Sequence, residues 1–460
     1  MLIAAMATAL LSGCYGKGSS ADPPANFTPT AGDGRVLLTW TPVPGVDYWI
    51  FAAASPSLTA FNWEGLRYSL AYINTPTPWY MCGLFDDVQY YFASNGRING
   101  GPGGPSSPTV TAMPYNASAS AHWNAGSVSP ATDLYGVGYT SLTTCNNLVT
   151  TSSSGIFAAV GTGGAIFTGT LAGPPYSIAW APQSAPNGFT ANLYAVTGYA
   201  AYQNNVLNPG LRWVAVGAGG ASVYSTDGIT WSAGGASGMP TKDLYSITQV
   251  GGNFYAVGDA GTIISTTDGI TWTIHNSPAV STSKLYGVTH GNYYVAVGES
   301  GTILRSIDGN TWSVMTPSSP ISSTLRQVAY FGGIYGSIYV AVGDAGTIVT
   351  SIDGGSTWIT QTALSGLPIP PNLVGITVET RTVDPAITSA DPSLGVISTA
   401  QFVAIDSAGN AYTSVNGYTW TQTINTGISC VTATSCMNPL VSSGFGYVAA
   451  GDGGTTAFAF

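Results

Sequence analysis

Val295-Ala-Val-Gly298-Glu-Ser-Gly301-Thr-Ile303-Leu-Arg-Ser306-Ile-Asp308-Gly309-Asn-Thr311-Trp312 is one copy of a phrase that returns, with variations, from about residue 157 to residue 460. A unit repeated every ~40–50 residues fixes an architecture, because each copy is one supersecondary element that buries its apolar face only against its neighbours. The glycine ending the Ala-Val-Gly strand recurs at Gly161, Gly217, Gly258, Gly298, Gly343 and Gly451, and Asp406 takes its place in a degenerate copy. An apolar strand precedes each: Leu134-Tyr-Gly-Val, Leu193-Tyr-Ala-Val, Leu244-Tyr-Ser-Ile, Leu285-Tyr-Gly-Val, Leu325-Arg-Gln-Val, Leu373-Val-Gly-Ile and Ile428-Ser-Cys-Val. A Thr-Trp strand follows five copies, at Trp231, Trp272, Trp312, Trp358 and Trp420, and Trp180 fills that place in the first.

Each copy reads as four short strands, A to D, separated by Gly, Asp, Ser and Pro. Four-stranded units at this period are propeller blades, and no 3.6-residue apolar stripe supports a helical repeat. The seventh copy stops after strand C, whereas Ala121-His122-Trp123-Asn124 stands alone before the first. The expected fold is therefore all-β: a seven-bladed β-propeller over residues 122–460, closed by strand 121–127 pairing with the C-terminal blade. Such closure removes the exposed edges of an open sheet.

Only 7% of the 460 residues are charged, ten basic against twenty acidic, for a net charge of −10. Nucleic acid is excluded as a partner, because its binding needs clustered cations. Residues 2–11 form an apolar run with the length of a signal-peptide core, too short to span a bilayer. It leads into Leu11-Ser12-Gly13-Cys14, which resembles the bacterial lipoprotein signal. That resemblance implies a signal peptide over 1–13, lipid on Cys14, a tether over 14–23 and a membrane partner reached through the anchor. Tyr15, which is not the aspartate of inner-membrane retention, favours an outer-membrane lipoprotein, facing the periplasm or the cell surface. In an exported chain Cys145, Cys430 and Cys436 are disulfide candidates. A Cys145–Cys436 bridge across the ring closure competes with Cys430–Cys436 within the last unit.

Residues 24–114 follow another pattern. Arg35-Val-Leu-Leu-Thr-Trp40 and Asp47-Tyr48-Trp-Ile-Phe51 alternate around a Trp, and Leu84 stands six residues before Tyr90. The segment resembles a fibronectin type III domain with Trp40 as its core tryptophan, which implies a β-sandwich used as spacer or binding module.

Ser351-Ile-Asp353-Gly-Gly-Ser-Thr357-Trp358 matches the Asp-box of sialidase-like propellers, with shorter copies at Asp227, Asp268 and Asp308. The Asp caps a tight C–D turn through backbone amides, Gly supplies positive φ, and Trp231, Trp272, Trp312 or Trp358 wedges between blades. These residues are structural. The whole repeat is similar to the photosystem II assembly/stability factor family, which implies a non-enzymatic propeller acting through a basic patch. This propeller has only Arg212, Arg305, Arg326, Arg381, Lys242 and Lys284. The sialidase alternative asks for three convergent arginines with a Tyr–Glu pair, and neither is visible. No catalytic set, cofactor site or metal cage emerges, and His122, His275 and His290 fall in unrelated strand contexts.

Asp259, Glu299, Asp344 and Asp452 share one place in the B–C turns and form a candidate acidic ring for a cation or basic partner. Long A–B connections in copies one, two, six and seven gather on one face, where repeat proteins grow binding surfaces. Tyr139, Tyr199, Tyr202 and Trp213 are the candidate contacts. The function expected is an envelope binding or scaffold protein for an unknown protein or glycan ligand. The alternatives are a carbohydrate-active enzyme and a surface adhesin.

Overall fold

The computed structural model describes residues 18–460 apart from 33–34, 76, 83, 85–87, 115–122, 141–154, 173–176, 204–205, 236, 276–281, 334–335, 363, 365–369, 384–396, 431–435, 443–445 and 460. Its named elements are β-strands and three-residue 3-10 turns. No helix among the described residues is long and apolar enough to cross a membrane. The chain divides into a unit built mainly from residues up to Asn116, with 143–152 and 382–397 assigned to it, and a larger unit built from the rest.

The N-terminal unit holds a five-stranded and a three-stranded sheet. Strand Arg35–Thr41 alternates with period two, so Val36, Leu38 and Trp40 face one way. They share a core with Ile50, Tyr90 and Phe92 of the larger sheet. Trp40 sits edge-on to Phe27 and Tyr48, with ring centroids 6.1 and 6.2 Å away. Leu84 and Tyr90 are both buried there.

Among the described residues the larger unit contains seven four-stranded antiparallel sheets, numbered here in chain order. Sheet one runs through Leu134–Thr140, Ile156–Gly161, Ile166–Ala172 and Ser177–Gln183. Sheet seven takes Leu440–Ser442, Tyr447–Ala450 and Thr455–Ala459 from the C-terminal end and its fourth strand, Asn124–Ser127, from the other end of the unit. The register runs from Thr455 opposite Ser127 to Phe458 opposite Asn124. Apolar clusters straddle consecutive sheets. One joins Ala158 and Val160 of sheet one to Trp213 and Val223 of sheet two. The cycle closes where Val448, Ala450 and Phe458 of sheet seven meet Leu134, Val137 and Phe157 of sheet one. Apolar burial, the main favourable term, thus holds each sheet to two neighbours.

The first strands of neighbouring sheets lie side by side around an axis. A Cβ on Gly136 would come within 2.6 Å of the Tyr194 carbonyl oxygen, so only glycine allows that approach. Sheet seven departs from the sequence expectation. Ile428-Ser-Cys430 does not form its first strand, which begins instead at Leu440. Ser429 still accepts from Asp452 N–H at 3.0 Å, the contact Asp133 and Asn192 make in sheets one and two. A Cys430–Cys436 disulfide follows, with a Cα–Cα distance of 5.7 Å. Cys14 and Cys145 lie outside the described residues.

Candidate functional site at the mouth of the axis

In sheets one to five the register slips directly after the first leucine, between Leu134 and Gly136, Leu193 and Ala195, Leu244 and Ser246, Leu285 and Gly287, and Leu325 and Gln327. The residue skipped is Tyr135, Tyr194, Tyr245, Tyr286 and Arg326 in turn. A bulge residue is released from the ladder and its side chain re-aimed. Here the five side chains form an arc beside the B–C turns. Ring centroids are 5.6 Å apart for Tyr135–Tyr194, 5.8 Å for Tyr194–Tyr245 and 5.1 Å for Tyr245–Tyr286. The Arg326 guanidinium continues the arc 5.7 Å from the Tyr286 centroid.

Charged groups collar the arc. Tyr245 Oη donates to Asp259 Oδ1 at 2.9 Å, and Lys284 Nζ lies 3.1 Å from the same carboxylate and 5.6 Å from the Tyr245 centroid. Arg326 grips Asp344 with two donors, Nε at 2.5 Å and Nη2 at 3.0 Å. Glu299 accepts from the Lys284 backbone N–H at 3.1 Å and from Tyr286 Oη at 3.5 Å. Burial first, then the bond to Asp259, pushes the Tyr245 phenol up. The bonds to Asp259 and Tyr245 push the Lys284 ammonium up. Asp259, Glu299 and Asp344 are therefore engaged by the chain's own tyrosines and cations, and no group of three metal-binding side chains occurs among the described residues.

At the axis Asn438, two residues after Cys436, hydrogen-bonds to the strands of four other sheets. Its backbone N–H donates to Tyr135 O at 2.9 Å, and its carbonyl accepts from Val137 N–H at 2.9 Å. Its Nδ2 donates to Tyr245 O at 2.5 Å and to Tyr194 O at 3.4 Å, while Oδ1 accepts from Ser246 Oγ and Gln327 Nε2. Only a group close to the axis reaches sheets one, two, three and five together. The repeat pattern gives no sign of this residue, because it lies between Cys436 and the first strand of sheet seven, outside the repeated phrase. The tyrosines do leave a signal, the Leu-Tyr pair opening four copies.

The Asp-boxes are joints of the outer turns. Asp308 Oδ1 accepts from the N–H groups of Asn310 and Thr311, both at 2.9 Å, and Trp312 Nε1 donates to Gly309 O at 3.0 Å. Asp227 and Asp268 accept from the equivalent amides, and Asp353 from those of Ser356 and Thr357. Burial opposes ionisation of Asp353, yet the donors on Thr357, Ser351 and Ser356 hold it at about 2. Trp231, Trp272, Trp312 and Trp358 each pack into the cluster shared with the preceding sheet.

The expected contact face needs correction. Trp213 is 0% exposed in the cluster between sheets one and two, because its place on the strand turns it inward. The second A–B connection is a ladder, pairing Tyr199 with Arg212 and Tyr202 with Leu207. Tyr199 is half-buried, Tyr139 packs on Phe157 at 4.8 Å, and the Tyr202 side chain lies outside what is described. His275 and His290 fall in one aromatic cluster, His275 against Tyr255 and His290 4.3 Å from Tyr294.

A family model, the DUF6242 beta propeller domain, matches residues 235–314. The chain carries a β-propeller. No curated protein matches. Among solved structures, YCF48 bound to D1 peptide is similar at 16% identity and a TM-score of 0.50, covering 76% of this chain and 96% of that one. YCF48 from Cyanidioschyzon merolae follows at 13% identity and 0.47, covering 74% and 98%. The WD40 β-propeller domain of Doa1 stands at 11% and 0.46, covering 71% and 92%.

Proposed function

We propose that this chain is an exported, lipid-anchored scaffold that binds protein through a seven-bladed β-propeller. On this reading residues 1–13 are the signal peptide, Cys14 carries the lipid and 14–23 are the tether. Residues 24–114 are a fibronectin type III-like sandwich, and residues 122–460 are the propeller, placed at the outer membrane. The observation that carries the binding role is the axis. Asn438 reaches across it to four sheets, which favours recognition at the mouth, with its tyrosines and ion pairs, over a deep cavity for a small substrate. Aromatic side chains beside charged ones suit a protein partner. The Cys430–Cys436 bond supports export, since disulfides persist in oxidising compartments. YCF48, whose fold is similar, has been solved with a D1 peptide bound, which is in keeping with a peptide-binding role.

The sialidase alternative gains no support. Arg305 stacks 3.6 Å from the Tyr293 centroid, Arg212 donates to the Thr267 carbonyl, and Arg326 is held by Asp344. These three do not converge on one point.

The test is cross-linking of the full chain, carrying a photoreactive residue at Thr162 beside Tyr135, in envelopes of the native host. A defined protein adduct, lost when the probe is moved to Ile229 on an outer turn, is the expected result. Labelling of lipid and solvent alone would overturn the binding role. Mass spectrometry of the mature chain tests the anchor, which an unmodified N-terminus other than Cys14 refutes.

A further inference from the structure

The repeat carries its own template for a ligand. Lys284, the residue just before the first strand of sheet four, sends its ammonium over Tyr245 of sheet three and onto Asp259. One sheet further, Arg326 lies over Tyr286 and is held by Asp344. Two of the four tyrosines thus hold a cation of the chain's own. Among the described residues no cation lies over Tyr194 or Tyr135, the other two.

The position that supplies Lys284 is filled before sheet three by Asp243. Its Oδ1 accepts from Gly219 N–H at 2.7 Å and so sits beside the turn of sheet two. Asp243 and Asp259 both bear on Tyr194, whose phenol is pushed up by burial first and by these charges next. On the far side Asp133 accepts from Gly453 N–H at 2.8 Å, next to Asp452. The half of the mouth with no cation over its rings thus holds Tyr194 beside the carboxylates of Asp243 and Asp259. Lys242, exposed beside Asp243, makes no ion pair among the described residues.

We propose that the mouth over Tyr194 and Tyr135 receives a Lys or Arg side chain from a basic segment of a partner protein, taking the place that Lys284 and Arg326 take over the neighbouring rings. A cation over a tyrosine face is attracted by the ring quadrupole, and a flanking carboxylate completes the site. The arrangement selects cationic over acidic segments, in keeping with a chain of net charge −10. This inference rests on the protein-binding role and specifies its partner.

The experiment is calorimetric titration of the full chain, disulfide intact, with a short unstructured peptide alternating Lys and Ser, and with its Glu counterpart. The Lys peptide binds, more weakly as salt rises, and the Glu peptide does not. Tyr194→Leu weakens binding about five-fold. Asp243→Lys, which supplies the missing cation within the chain, abolishes it. Asp353→Asn, which removes a carboxylate from an outer turn, leaves it unchanged. Circular dichroism confirms that each variant is folded, and Asp243→Lys decides the matter if Tyr194→Leu is not. Equal binding by all variants, or none by the wild type, overturns the proposal. A cross-linked partner still captured by Tyr194→Leu would overturn it too, while leaving the protein-binding role intact.

Discussion

Gly453 N–H donates to the Asp133 carboxylate at 2.8 Å, joining residues 320 apart in sequence. The same clip recurs between neighbouring sheets, where Asn192 Oδ1 accepts from Gly163 N–H and Asn372 Oδ1 from Ala345 N–H. The acceptor therefore matters more than its charge. Asp133→Asn is expected to keep stability within a few tenths of a kcal/mol, whereas Asp133→Ala costs about 1 kcal/mol. Urea unfolding of the two variants measures the difference, and equal losses would show that an amide acceptor cannot replace the carboxylate.

Asn438 ties sheet seven to four others through both its backbone and its carboxamide. Asn438→Ala strips partners from Gln327, Ser246 and two tyrosine carbonyls at once, so a loss of about 2–4 kcal/mol is expected. Thermal unfolding reports it; a change within error would mean that water satisfies these groups unaided.

The Cys430–Cys436 pair closes a short loop. The chain-entropy relation gives about 2 kcal/mol for a loop of this size, so the double Cys→Ser variant unfolds at correspondingly lower denaturant. Peptide mapping without reductant checks the pairing directly, because a Cys145-containing cross-linked peptide would contradict it.

Asp353 supplies a pH prediction. Its folded pKa of about 2 lies below the ordinary carboxylate value, so its contribution is present above about pH 4 and fades as pH falls toward 2. Asp353→Asn has no such loss, and Asn416 already caps an equivalent turn with an amide. The stability gap between wild type and variant should narrow over that interval. The site is largely solvent-facing, so the gap at neutral pH stays below about 1 kcal/mol. A constant gap across the interval refutes the assignment.

Trp213 and Tyr199 separate the interior from the surface. Trp213→Ala opens a cavity between sheets one and two and costs about 3–5 kcal/mol. Tyr199→Ala, half-buried, costs less than half of that. Guanidinium unfolding of both variants checks the order.

The propeller is legible in the sequence because its signals are local and repeated. Ala-Val-Gly strands alternate, and Asp308-Gly-Asn-Thr311-Trp312 encodes a turn and a wedge within a handful of residues. Orientation is harder to read. Trp213 follows a long connection and so suggests a contact residue, but that connection is itself paired strand, and pairing turns the indole inward. Asp259, Glu299, Asp344 and Asp452 lie in the turns where the repeat puts them, yet sequence alone does not show Lys284 and Arg326 reaching back to Asp259 and Asp344. Asn438 is invisible for another reason. Its partners lie in four other sheets, and no periodicity announces a residue used once.

The pairing of Phe458 with Asn124 also sets an order of events. Strand Asn124–Ser127 leaves the ribosome more than three hundred residues before its partner Thr455–Ala459 exists, and contacts so distant in sequence are slow to form. Throughout synthesis the nascent chain presents unpaired β edges at both margins of a growing array. If the chain is exported as proposed, it is best held unfolded until translocation is complete, since each half-built array offers its open side to another copy.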